Sequence, residues 1–191
     1  MQQSPTQPAA ACAAPTHPLL AKTLQDYLDA LDDPRRAAVL AFHDTHRDLI
    51  YRAHGSSHNH QAWPGGYADH LAETLRIAEV LYTGLSALRP LPFTLASAHI
   101  CLYLHDIEKI WQYTTGLPAD FNKAHIYTHQ LPTMYGLPLT ADELNALEYA
   151  HGEGDDHRKD KRVMNELAAL VHAADNLSAR LWHSDGRGLG D

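Results

Sequence analysis

Leu95-Ala96-Ser97-Ala98-His99-Ile100-Cys101-Leu102-Tyr103-Leu104-His105-Asp106 decides the fold of this chain. Apart from Ser97 and His99, the first ten residues are apolar on every side. A helix without a polar face has no side to offer water, so the run predicts a central, buried helix. An imidazole and a carboxylate follow it directly. Burying either is costly unless something compensates it. Adjacent helical residues point about 100° apart, so His105 and Asp106 can converge on one point only where the helix ends or kinks.

Outward from this run the pattern stays helical. A helix over 65–82 is predicted upstream, with His70, Thr74, Ile77 and Leu81 at i, i+4, i+7 and i+11, which puts His70 on a core face. Further upstream, helices are expected over 19–31 and 34–53, the second opening on Pro34, and residues 54–64 form a His-rich loop. Downstream, residues 114–139 are mixed, with a short helix and an irregular lobe. Thr140 with Glu143 three residues on is a capping-box pattern. Leu144, Leu147 and His151 then share a stripe. A last helix over 161–182 carries Asp175 inside the apolar face of Leu167, Leu170, Val171, Ala174, Leu177, Ser178 and Leu181. No strand pattern of any length occurs. The expected fold is all-α, one bundle of about six to eight helices over residues 19–183, between a disordered Pro/Ala-rich tail (1–18) and a flexible tail (184–191).

The charge narrows the function. The formal net charge is −8, and no Lys/Arg run interrupts the acidic balance, so extended nucleic acid is not an expected partner. No apolar stretch approaches the ~20 residues of a membrane span. Cys12 lies in the tail and Cys101 in the apolar run, which gives no disulfide framework and points to a reducing cytoplasm. Fifteen His equal the Lys and Arg together. Imidazole is the commonest metal ligand, although most of these His are expected to be solvated or structural.

His70, His105, Asp106 and Asp175 come from three helices and are all set among apolar residues. One divalent ion would compensate all four. Nitrogen and oxygen ligands of this kind suit Mn, Co, Zn, Ni, Fe or Mg, and ligand type does not choose among them. The order Gly-Gly-x-x-x-His (65–70), His-Asp-Ile-x-Lys (105–109) and Ala-Asp-x-x-x-Ala (174–179) resembles the HD-domain metal-dependent phosphohydrolases. The stretch from His58 to Ala78 is similar to the entry of the HD module in bacterial 3′-5′ exoribonucleases, and Tyr149-Ala150-His151-Gly152-Glu153 is similar to a later His-Gly-x-x-Glu loop of that module. The resemblance covers about residues 55 to 182. It departs in having no OB-fold segment before it, Glu108 where Gly is usual, and Ala150 in place of one His.

The resemblance implies a metal set of His70, His105, Asp106 and Asp175. It also implies a second-metal set drawn from His125, His129, His151 and His157, with Asp106 bridging. Lys109 would touch phosphate. Among residues read without it, His58 and His60 are phosphate contacts, Trp63 either stacks on a base or plugs the core, and Glu108 is either a general base or a surface charge. The catalytic assignments are Asp106 and Lys109; the substrate contacts are His58, His60, Trp63, Lys109 and His151. The expected activity is hydrolysis of a small nucleotide, a nucleoside mono- or triphosphate including a deoxynucleotide such as dATP. Its chemical need is an activated water and neutralised phosphate oxygens, which one or two divalent ions supply. Two rivals are a 3′-5′ exonuclease acting on single-stranded RNA or DNA ends and a non-catalytic nucleotide-binding HD module. A homo-oligomer is compatible with the chain.

Overall fold

A computed structural model describes residues 22–58 and 60–181; the two expected tails, with Cys12, lie outside these. Helices α1 (Leu24–Asp29), α2 (Arg36–Ile50), α3 (Gly66–Leu88), α4 (Leu95–Leu104), α5 (Lys109–Gln112), α6 (Lys123–His125), α7 (Ala141–Glu148) and α8 (Glu166–Leu181) follow in order. The described residues contain no strand, and the chain is the all-α bundle its periodicity predicts.

Helix α4 is the axis of the bundle. Ile100, Cys101, Leu102, Tyr103 and Leu104 are all buried, and α3, α7 and α8 pack around it. Burial pushes the Cys101 thiol well above its ordinary pKa, as expected of an inert core thiol. The most extensive helix pairing is α3 on α8. That pairing matters most for the site, because α3 carries His70 and α8 carries Asp175.

Several boundaries moved. Helix α2 starts at Arg36 rather than Pro34, because the Arg35 backbone N–H bonds the Asp33 carboxylate in a turn. Helix α3 continues to Leu88, since nothing breaks it before Pro90; Arg89 is already extended, as the residue before proline prefers. Helix α8 starts at Glu166, not at 161, because the Asn165 side chain accepts the Ala168 N–H at 2.7 Å and acts as the N-cap. The capping box of α7 is present as read: Thr140 Oγ1 accepts from the Glu143 N–H, and Glu143 Oε2 accepts from the Thr140 N–H.

Glu143 does more than cap. It is fully buried and takes both terminal nitrogens of Arg35 at 2.7 Å, while Arg35 also donates to both oxygens of Asp33. This bidentate pair ties the start of α2 to the start of α7. The lobe over 114–139 is more ordered than expected. Helix α6 runs straight into a π-helical stretch, Ile126–Tyr135, with Pro132 inside it. Gly136 closes that stretch at φ 66, and the Leu137 N–H reaches back to the Leu131 carbonyl at 3.0 Å.

Candidate metal centre

Helix α4 ends at Leu104, and His105 and Asp106 occupy the turn before α5. The end of the helix brings their side chains to one point. Two hydrogen bonds hold the turn. His105 Nδ1 donates to the Leu102 carbonyl at 2.7 Å, and the Tyr127 hydroxyl donates to the Leu104 carbonyl at 2.7 Å. The carbonyls that end a helix need such partners, and the buried Tyr127 from the π-helical stretch supplies one. The segment expected to be an irregular lobe is therefore the support under His105-Asp106.

The four candidate ligands meet. His70 Nε2 lies 3.4 Å from His105 Nε2, 3.2 Å from Asp175 Oδ1 and 3.9 Å from Asp106 Oδ2. His105 Nε2 lies 3.3 Å from Asp106 Oδ2 and 3.4 Å from Asp175 Oδ1. An ion with bonds of about 2.1 Å separates neighbouring ligand atoms by roughly 3.0–3.4 Å, so this donor set fits a divalent cation. His70, His105, Asp106 and Asp175 are all buried. His70, His105 and Asp106 form one group able to hold an ion; His105, His151 and Asp175 form a second.

The electrostatics agree with a cation site. Burial opposes charge on both carboxyls, yet the His105 ring outweighs it, helped by His151 and Lys109 at Asp106 and by His70 at Asp175. Both carboxyls stay far below the usual carboxylate range. Burial pushes His70 down to about 4, against the pull of Asp175. Burial also opposes charge on His105, but Asp106 and Asp175 prevail and hold it at about 10. Two buried carboxylates thus draw positive charge to their midpoint, from a proton or from a metal.

The other residues separate into those at the centre and those away from it. His151 Nε2 lies 3.2 Å from Asp106 Oδ1 and 3.7 Å from Asp175 Oδ2. Its route differs from the expected helical stripe, since α7 stops at Glu148. The turn over 149–152, with Gly152 at φ 99, carries His151 to the carboxylates instead. Lys109 Nζ reaches Asp106 Oδ2 at 2.5 Å. The ring of His60 packs on that of His70, centroids 5.2 Å apart. His60, Lys109 and His151 line a cleft of about 370 Å³ above Asp106 and Asp175.

Trp63 does not line that cleft. Its indole N–H donates to Asp69 Oδ2 at 2.8 Å, and it borders a separate cavity of about 430 Å³. His58 is exposed and lines neither cavity. His125 and His129 are exposed with rings 4.8 Å apart, and belong to neither metal-capable group. His157 is exposed and bonds Glu153 across 2.5 Å. Glu108 pairs with Lys123 at 2.8 Å.

The structure adds residues to which the sequence assigns no role at the centre. His172 and Arg180 of α8 line the cleft. His172 Nδ1 donates to the Ala150 carbonyl at 2.9 Å, which leaves Nε2 as an acceptor. Gly152 sits against this ring: a Cβ there would come 3.2 Å from His172 Cε1. Glu73 and Ser178 stand behind His70. Each lies three residues past a ligand on its helix, Glu73 after His70 and Ser178 after Asp175, and i, i+3 spacing was the available signal.

Comparison with family models, curated proteins and solved structures finds no match to this chain. What the fold and site define is a class: an all-helical protein with a buried His/Asp cluster able to hold a divalent metal.

Proposed function

We propose that this protein is a metal-dependent phosphohydrolase of the HD type and that its substrate is a small nucleotide. The observation that carries the reading is the convergence of His70, His105, Asp106 and Asp175 at 3.2–3.9 Å on the floor of a cleft bordered by cationic side chains. A bound divalent ion supplies Lewis acidity and lowers the pKa of water. The chain's own groups do the rest. Lys109 and Arg180 bring fixed positive charge to the cleft, where charge builds on phosphoryl oxygens. His60 and His151 border the same cleft and can offer hydrogen bonds to those oxygens, while His172 presents an acceptor nitrogen there. His151 sits against the Asp106 and Asp175 oxygens other than those nearest His105, so His151 and these carboxylates would be the residues to hold a second ion.

A cleft of about 370 Å³ is of a size that takes a small ligand. Overall acidity favours the same choice. Trp63 is engaged with Asp69 and borders a separate cavity, so it is not assigned as a base platform. The test is a panel of nucleoside mono- and triphosphates, including dATP, against single-stranded RNA and DNA. Each is incubated with the purified protein and Mn, Co, Zn, Ni, Fe or Mg, and products are identified. Release of phosphate or pyrophosphate from free nucleotides is the expected result. Shortening of oligonucleotides without turnover of free nucleotides would make the protein an exonuclease; nucleotide binding with no turnover under any ion would make it a binding module.

A further inference from the structure

His70 and His105 both present Nε2 to the carboxylates, but they are held in different ways. His105 Nδ1 donates to a backbone carbonyl, that of Leu102, at 2.7 Å. No side-chain substitution removes that acceptor. His70 Nδ1 lies 3.1 Å from Ser178 Oγ. A hydroxyl both donates and accepts, so Ser178 alone does not decide which ring nitrogen carries the proton.

Glu73 decides it. The Ser178 hydroxyl donates to Glu73 Oε2 at 2.6 Å, and a carboxylate only accepts. Ser178 has one proton and has committed it, so its oxygen can only accept from His70. His70 is thereby protonated on Nδ1 and offers the Nε2 lone pair to the centre. The same Glu73 oxygen accepts from Gln61 Nε2 at 2.7 Å. Gln61 is itself over-determined. Its backbone lies at φ 44, and its carbonyl accepts the N–H groups of Gly55 and Trp63, each at 2.9 Å. A Cβ on Gly66 would fall 1.9 Å from that carbonyl, so a glycine is required beside it. A loop held in a strained conformation at a functional site is a device for fixing a side chain.

We propose that Glu73, acting through Ser178, sets the tautomer of His70 and so the metal affinity of the centre. Glu73, Ser178 and Gln61 are positioning residues, not ligands. The inference rests on the metal-centre reading above and adds the element that makes one imidazole a ligand rather than a donor. Partners of this kind are worth about 10–100-fold in metal affinity.

The test uses the full chain. Long-range proton–nitrogen NMR of the metal-free protein reads which nitrogen of His70 carries hydrogen, and calorimetric titration with Mn²⁺ and Zn²⁺ reads affinity. Wild type should show Nδ1–H. Glu73→Leu frees the Ser178 proton to turn towards His70; it should shift the ring towards Nε2–H and weaken both ions about 10–100-fold. Glu73→Gln keeps an acceptor oxygen and should restore most of the affinity, a rescue that a purely packing role would not need. If Glu73→Leu does not fold by circular dichroism, Ser178→Ala carries the same expectation of weakened binding. A folded Glu73→Leu protein with Nδ1–H and unchanged affinity overturns the inference. Wild-type protein that takes up neither ion overturns the metal reading and this one with it. The two failures are distinguishable, because the tautomer is read with no ion present.

Discussion

His151 Nε2 stands 3.2 Å from Asp106 Oδ1, while Lys109 Nζ and His105 Nε2 take Asp106 Oδ2 at 2.5 and 3.3 Å. One buried carboxylate therefore faces two sets of partners through its two oxygens. His105 is fully buried, whereas the His151 side chain is 59% exposed. Exposure leaves the His151 ring open to solvent, whereas burial shields the His105 ring from it.

That inequality separates two kinds of variant. Asp106→Ala and His105→Ala remove a ligand from the buried set and should lower hydrolysis at least about 100-fold while the far-ultraviolet spectrum stays helical. His151→Ala touches a half-exposed turn and should cost turnover with little change in melting temperature. Near-wild-type turnover in Asp106→Ala would end the phosphohydrolase reading.

Tyr127 carries a prediction about the floor of the site. Tyr127→Phe removes the donor to the Leu104 and His105 carbonyls at 2.7 and 3.3 Å. The expected loss is about 0.5–1.5 kcal/mol of unfolding free energy, that of one hydrogen bond, because the Leu104 carbonyl keeps the Ile107 N–H at 3.1 Å. Denaturant unfolding measures it. Metal affinity should fall alongside, since the same turn aims Asp106.

Arg35→Ala tests the Arg35–Glu143 pair. Glu143 is fully buried, and its capping-box bond to Thr140 cannot replace two guanidinium contacts. Removing one partner of a buried pair typically costs about 3–5 kcal/mol. Unfolding by urea should show a loss of that order. A change below about 1 kcal/mol would mean that Glu143 finds water or another donor.

Stability should fall on mild acidification. Burial lowers the pKa of His43, His46 and His99, the last to about 4, so all three are held neutral in the fold. Unfolded His titrates near 6.5. Between those values the unfolded chain binds more protons at these three sites, so their contribution to stability is complete above about 6.5 and drains away as pH falls towards 4. Glu143, whose carboxyl burial would raise but Arg35 holds down, adds a loss in the same direction at lower pH. Melting temperature measured from pH 7 to 4.5 should decline, and the slope should be shallower in a His43→Phe, His99→Phe protein.

Gly152→Ala probes the turn that delivers His151. Gly152 sits at φ 99, and a Cβ would come within 3.2 Å of the His172 ring. The substitution should cost about 1 kcal/mol or more in stability and reduce turnover, read by thermal melts and by phosphate release. A variant as active and as stable as wild type would show that the turn relaxes freely.

The helical class, the buried α4 and the core-facing positions of His70, His105, Asp106 and Asp175 were legible from the chain alone. Each rests on local periodicity: His70 and Asp175 fall within apolar faces, and His105-Asp106 ends an apolar run. The α7 capping box is likewise local. Tertiary structure alone decided what surrounds them. Ser178 meets Glu73 across 105 residues of chain and His70 across 108, and Tyr127 reaches Leu104 across 23; no short-range pattern encodes such pairs. His151 reaches Asp106 by a turn rather than along a helix, and Trp63 faces Asp69 instead of the cleft. Periodicity states which face of a helix is buried. Which side chain of another helix meets that face depends on how α3, α4 and α8 pack, and packing is a property of the whole chain.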